Sequence, residues 1–229
     1  MSDDADNKRF DVTSIGEAML RLSVPGGRRL EEARCLDLEI GGSEINVCTA
    51  LARLDRRCAL VSRLPENALG HNVVRTLRAD NVNVSSVRCV PGERIGTYYV
   101  EYAGEPRGVR VIYDRANTAM AKMSVDEVDW NSLIDTRMLH LTGITAALSD
   151  SCHAITVEAM RRAQAAGIAV SFDVNFRAAL WDPATARKKL EPLIAGADLL
   201  VCKSADAGTL FGFGGESRDV TSALKSITS

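Results

Sequence analysis

At 229 residues, with 46% hydrophobic and 25% charged side chains, the chain is long enough to bury a substantial core and reads as soluble and globular. Its formal net charge of −2 exerts no general pull toward nucleic acid or anionic membrane, and its apolar runs are strand-sized, too short to span a bilayer. The six cysteines stand singly, without a Cys-x-x-Cys or a histidine at ligand spacing, which points away from zinc and toward free thiols in a reducing cytoplasm.

Residues 1–9 are acidic and polar, the opposite of a secretory signal, and are expected to fray. A β-rich run over 10–15 reads as the first strand and ends at Gly16-Glu17. Glu17 is then either a solvated turn acid or a carboxylate delivered to a site at the strand's end. Alternation over 19–24 and 35–40, with Leu36, Leu38 and Ile40 opposite Asp37 and Glu39, predicts half-exposed antiparallel strands.

Residues 40–54, IGGSEINVCTALARL, feed a glycine pair into a helix. Bare glycines permit a tight turn and close approach to the backbone. Ser43 reads as the N-cap, Glu44 complements the helix dipole, and Val47, Cys48, Leu51 and Leu54 form the inward stripe. Free N–H groups and the Asn46 amide at the helix mouth suit a polyhydroxylated or anionic small molecule, unless the turn is an ordinary one.

A strand over 58–62 and a helix over 70–80 follow, then GTYYVEYAGEPRGVRVIYDR at 96–115, two alternating strands joined by a glycine-proline turn. With the strands near 20–40 this makes a small half-exposed sheet, which must cover a cleft or meet another copy. Beyond Ser124 the pattern becomes strand–helix alternation. A Ser124-x-x-Glu127 capping box precedes a helix, and strands are predicted over 138–142, 168–173 and 199–202. Helices are predicted over 150–166, from Asp182-Pro183, up to Phe211, and from Asp219. That alternation is the signature of an α/β fold with a parallel sheet.

Ligands of such sheets sit beyond the strands' carboxyl ends, here Gly16-Glu17, Gly143-Ile144-Thr145, Asp173 to Arg177 and Lys203-Ser204. Asp173, Asn175 and Arg177 alternate and can project to one side, with an Asp173–Arg177 pair as the plainer alternative. The order of GGSEIN, GTYYVEY, IYDRA, LTGITAALS and FDVNFRAALW resembles the ribokinase family of carbohydrate kinases, most of all its 2-keto-3-deoxygluconate kinases, over nearly the whole chain after residue 10.

The resemblance implies a ribokinase-like three-layer α/β/α sandwich with a mostly parallel central sheet. A β-lid, from about 18–40 and 95–115, would cover the sugar and often forms a homodimer contact. It implies a kinase in the cytoplasm that uses ATP and Mg2+ to phosphorylate the primary hydroxyl of a sugar acid. Residue by residue, Gly42, Asn46, Tyr98, Tyr113, Arg115, Ile144 and Arg177 would contact the substrate. Asn175 and Phe176 would lie toward the nucleotide. Two guanidinium groups suit a carboxylate, where a charge-assisted pair contributes roughly 1.5–3 kcal/mol, and so favour an acid over a neutral sugar. Competing roles remain for some of these residues: an Arg115 salt bridge with Asp114 or Glu101, and cross-strand packing of the two tyrosines.

The family's D-x-x-G-A-G-D pattern, which carries the general base and an anion hole, does not occur in these residues. One truncated domain over 1–229 holding mainly the sugar-acid half of the site, and inactive by itself, is therefore expected. The glycines at 212, 214 and 215 lack the trailing aspartate and are not assigned to phosphate. Lys203 stands where the family commonly has Asn or Ser, and Asp206 where it has Glu. Lys203 is a candidate phosphate contact or a surface lysine. Open alternatives are a neutral-sugar kinase such as a fructokinase and a non-catalytic sugar-acid-binding or dimerising fragment. No metal ligand set is expected.

Overall fold

The computed structural model describes residues 8–102 and 108–214. In its first half the chain runs through β1 (Phe10–Ile15), β2 (Met19–Ser23), β3 (Asp37–Gly41), α1 (Ser43–Ala52), β4 (Cys58–Pro65), α2 (Ala68–Ala79), β5 (Val82–Asn83), β6 (Val87–Val90), β7 (Gly96–Glu101) and β8 (Arg110–Asp114). It continues as α3 (Trp130–Ile134), β9 (Thr136–Thr142), α4 (Gly143–Ala146), α5 (Asp150–Ala165), β10 (Ala169–Asp173), α6 (Pro183–Ala195), β11 (Leu199–Val201) and α7 (Ser204–Phe211).

The larger sheet has the order β11-β10-β9-β1-β4-β5, with β6 also on β4, and its described pairings are all parallel. Parallel strands need covering on both faces. On one face Ile15, Leu139, Leu141, Val170 and Phe172 pack with α5, α6 and α7; on the other Cys58, Leu60 and Val82 pack with Ile45, Cys48 and Ala52 of α1 and with α2. This is the three-layer α/β/α arrangement. Side-chain caps fix the helix starts: Asn67 accepts from Leu69 and Gly70, Ser149 from Cys152, and Asp182 from Ala184 and Thr185.

The smaller sheet, β3-β2-β7-β8, is mixed: β2/β3 and β7/β8 are antiparallel, while β2/β7 is parallel. Its register places Glu39, Arg21, Tyr98 and Tyr113 in one cross-strand row and Leu38, Leu22, Tyr99 and Ile112 in the adjacent row on the opposite face.

Several local expectations need correction. Gly42, not Ser43, is the N-cap of α1, at φ 149, and a Cβ there would collide with the Glu17 carbonyl oxygen. Leu54 is 68% exposed, because α1 ends at Ala52 and Asp55 then adopts a φ of 59. The inward stripe is Ile45, Cys48 and Ala52. The Ser124–Glu127 capping box forms, but it opens a 3-10 turn at Val125–Glu127 ahead of the five-residue α3. Strands β5 and β6 carry too few residues to show a periodicity. The hairpin turn around 104–107 and the helix expected from Asp219 lie outside the described residues.

Candidate active site

The carboxyl ends of β1, β9, β10 and β11 bring Glu17, Thr142, Asp173 and Lys203 to one end of the sheet. Glu17 is not a solvated turn acid: it is 3% exposed. Its Oε2 accepts from Arg115 Nε at 3.1 Å and Nη2 at 2.5 Å, and its Oε1 accepts from Thr118 Oγ1 at 2.5 Å. Arg115 therefore pairs neither with Asp114, whose partner is Arg94, nor with Glu101, which accepts from the Leu30 N–H.

A second acid, Glu44, points inward from the first turn of α1 and is 1% exposed. Its Oε1 accepts from the hydroxyls of Thr142 and Thr145, both at 2.5 Å, and its carboxyl packs on Gly16, where a Cβ would collide with it. Burial raises the Glu44 pKa against the lowering effect of the two hydroxyls. This carboxyl ties the glycine-turn helix to the β9–α4 junction.

On the lid, Tyr98 and Tyr113 stack with ring centroids 5.7 Å apart, and the Arg115 guanidinium lies 5.9 Å from the Tyr113 centroid. The Tyr98 hydroxyl sits over Gly41, in the space a Cβ would fill. Burial raises the Tyr98 pKa.

Beneath this face lies a cavity of about 470 Å³ lined by Tyr113, Asp114, Arg115, Asn117, Leu148 and Arg177, among others. That volume suits a small sugar-sized ligand. Arg177 Nε is buried with no hydrogen-bond partner, and among the described residues Arg177 makes no ion pair, with Asp173 or any other acid. A buried unpaired guanidinium nitrogen beside a hollow is a donor awaiting an acceptor.

The remaining sugar candidates do not themselves line this hollow. Tyr98 connects to it by stacking on Tyr113, Gly42 packs against the Glu17 carbonyl, and Ile144 is 8% exposed, three residues before the lining Ala147. Asn46 does not join them: it is exposed and lines a separate groove with Thr49, Arg53 and Arg75. Asn117, Leu148 and Leu180 of the lining had no periodic signal in the sequence, although Asn117 has the left-handed φ of 54 that asparagine tolerates.

The fold, a parallel central sheet with a smaller mixed sheet, is shared with known proteins. The model for pfkB family carbohydrate kinases matches residues 9–229. The chain belongs to that family. A 2-dehydro-3-deoxygalactonokinase of Haloferax volcanii is 36% identical over 93% of this chain and 67% of its own length. A 2-dehydro-3-deoxygluconokinase of Thermoproteus tenax is 34% identical over 89% of this chain and 62% of its own. The crystal structure of a 2-dehydro-3-deoxygluconokinase from Thermotoga maritima superposes with a TM-score of 0.88 at 31% identity, covering 95% of this chain and 68% of that one. The chain thus spans 62–68% of the length of these three relatives.

In this pfkB-family chain the side expected to face a nucleotide is built from β10, β11 and α7. Asn175, at φ 38 and 7% exposed, donates through Nδ2 to Ser43 Oγ at 2.8 Å, and its N–H donates to Asp173 Oδ1. Phe176 N–H donates to Asp206 Oδ2, and its ring packs on the main core. Lys203 is exposed at the start of α7. Burial raises the Asp173 pKa, opposed by the Asn175 N–H and the Lys203 charge. Gly212 is the left-handed C-cap of α7, and a helix carboxyl end repels phosphate. Lys203 and the Asn175 turn both follow strands at the carboxyl end of the sheet. Among the described residues no group of three metal-ligating side chains forms, and no helix is long and apolar enough to cross a membrane.

Proposed function

We propose that this chain binds a 2-keto-3-deoxy sugar acid in the Arg115/Arg177 cavity and belongs to a cytoplasmic kinase that phosphorylates the acid's primary hydroxyl. The observation that carries the reading is the buried, unpartnered Arg177 Nε at a sugar-sized hollow that Arg115 also lines. The carboxylate pairs with Arg177, Tyr98 and Tyr113 supply lid contacts, and Gly42 and Ile144 shape the floor. Mg-ATP supplies the γ-phosphoryl group, and Lys203, Asn175 and Phe176 form the edge of its site. We assign no general base here. The described carboxylates near the cavity are engaged: Glu17 with Arg115, Glu44 with two threonines, Asp114 with Arg94 and Asp173 with the Asn175 N–H.

Titration calorimetry with 2-keto-3-deoxygluconate, 2-keto-3-deoxygalactonate and fructose tests the proposal. The acids bind and fructose binds at least tenfold more weakly; Arg177→Ala removes that preference. Equal affinity for fructose refutes the acid-sugar reading.

We also propose that a second copy covers the outer lid face. Its support is the row Leu38, Leu22, Tyr99 and Ile112, in which Leu38 and Ile112 are 44% and 43% exposed. Sedimentation should show a dimer that Ile112→Lys dissociates; a monomeric wild type refutes it.

A further inference from the structure

The charge balance around the cavity is set by a residue outside its lining. Glu17 takes two of the three Arg115 nitrogens, Nε and Nη2, on a single carboxylate oxygen, while Thr118 occupies the other. The Arg115 side chain is 9% exposed and that of Glu17 3%, so the pair is held in a setting where water screens little. Thr118 is itself fixed by the Ala121 N–H, and the Glu17 backbone carbonyl packs against Gly42. The acid of the lining, Asp114, pairs with Arg94 at 2.7 Å. Arg115 is thereby neutralised and locked in orientation, and Arg177 is the cation of the lining without an acidic partner among the described residues.

We infer that Glu17 is a positioning and specificity-determining residue: by clamping and neutralising Arg115 it leaves Arg177 as the lining cation outside any ion pair among the described residues, so the cavity selects a sugar acid with a single carboxylate over a dianion. This rests on the sugar-acid reading of the same cavity. A monoanion pairs with Arg177 while Arg115 Nη1, the nitrogen Glu17 leaves, donates to a neutral oxygen. A second negative charge meets a guanidinium already balanced by Glu17 and is rejected.

The test is titration calorimetry of the 229-residue chain with 2-keto-3-deoxygluconate, one carboxylate, and glucarate, two. Wild type prefers the monoacid at least tenfold. Glu17→Gln, which keeps the shape and removes the charge, weakens the monoacid and narrows or inverts that ratio. Glu17→Asp, which keeps the charge at a shorter reach, weakens the monoacid but retains the ratio. A structural defect alone weakens both ligands equally, so an unchanged ratio in folded Glu17→Gln overturns the inference. Should Glu17→Gln not fold, monoacid affinity in Glu17→Asp equal to wild type overturns it instead. If the wild type binds neither acid, the sugar-acid reading fails and not merely the role of Glu17.

Discussion

Asn175 Nδ2 donates to Ser43 Oγ at 2.8 Å, joining the loop after β10 to the first turn of α1 across 132 residues of chain. The contact closes the site end of the sheet, because it ties the glycine turn beneath the lid to the strand that delivers Arg177. Asn175 is suited to it twice over, through its amide and through its tolerance of a φ of 38.

That dual role separates two substitutions. Asn175→Gly keeps the backbone and loses the hydrogen bond, at a cost of about 1 kcal/mol. Asn175→Ala adds the left-handed strain of about 1–2 kcal/mol. Urea unfolding should rank wild type above Asn175→Gly above Asn175→Ala; an alanine variant as stable as the glycine variant contradicts the strain.

Gly41 and Tyr98 form a second coupled pair. Gly41→Ala puts a methyl group into the Tyr98 hydroxyl and should displace the ring from Tyr113, destabilising the chain by roughly 1–3 kcal/mol. Tyr98→Phe removes the oxygen and should recover part of that loss in the double variant. A double-mutant cycle with no coupling shows that the ring does not lie over Gly41.

Two buried groups give opposite pH signatures. Burial holds His140 at a pKa of about 4, against 6.5 for an unhindered imidazole. Between those values the unfolded chain takes up a proton that the folded chain refuses, so stability falls as pH drops from 6.5 toward 4, by of order 3 kcal/mol in all. His140→Gln should flatten the unfolding midpoint over that window. Glu44 has a raised pKa, so the unfolded chain releases its proton first and stability declines as pH rises above 4.5. Glu44→Gln should match or exceed wild type in chemical denaturation at pH 7 and lose that advantage near pH 4. A glutamine variant less stable at pH 7 than at pH 4, relative to wild type, reverses the assignment.

Asn46 supplies a negative test. It lines the groove with Arg53 and Arg75 and not the Arg177 hollow, so Asn46→Ala should leave sugar-acid affinity within about twofold of wild type, under 0.5 kcal/mol. Calorimetry showing a tenfold loss would return Asn46 to the sugar site.

What the sequence by itself determined were the features that local chemistry writes down. The β-rich β1, the helical stretch of α5 and the Asp182-Pro183 start of α6 each carry their signal within a few residues, and the ordered motifs carried the family. Only the tertiary structure decided who meets whom. Glu17 and Arg115 are 98 positions apart, and nothing local tells a turn acid from a buried clamp. The rotation of α1 turns Glu44 inward and Asn46 outward, which depends on the sheet beneath the helix. Strand β5, two residues long, is defined by its hydrogen bonds to β4 and not by its own side chains. Periodicity fixes which residues are apolar together; ion pairs and short strands depend on partners that packing alone brings into range.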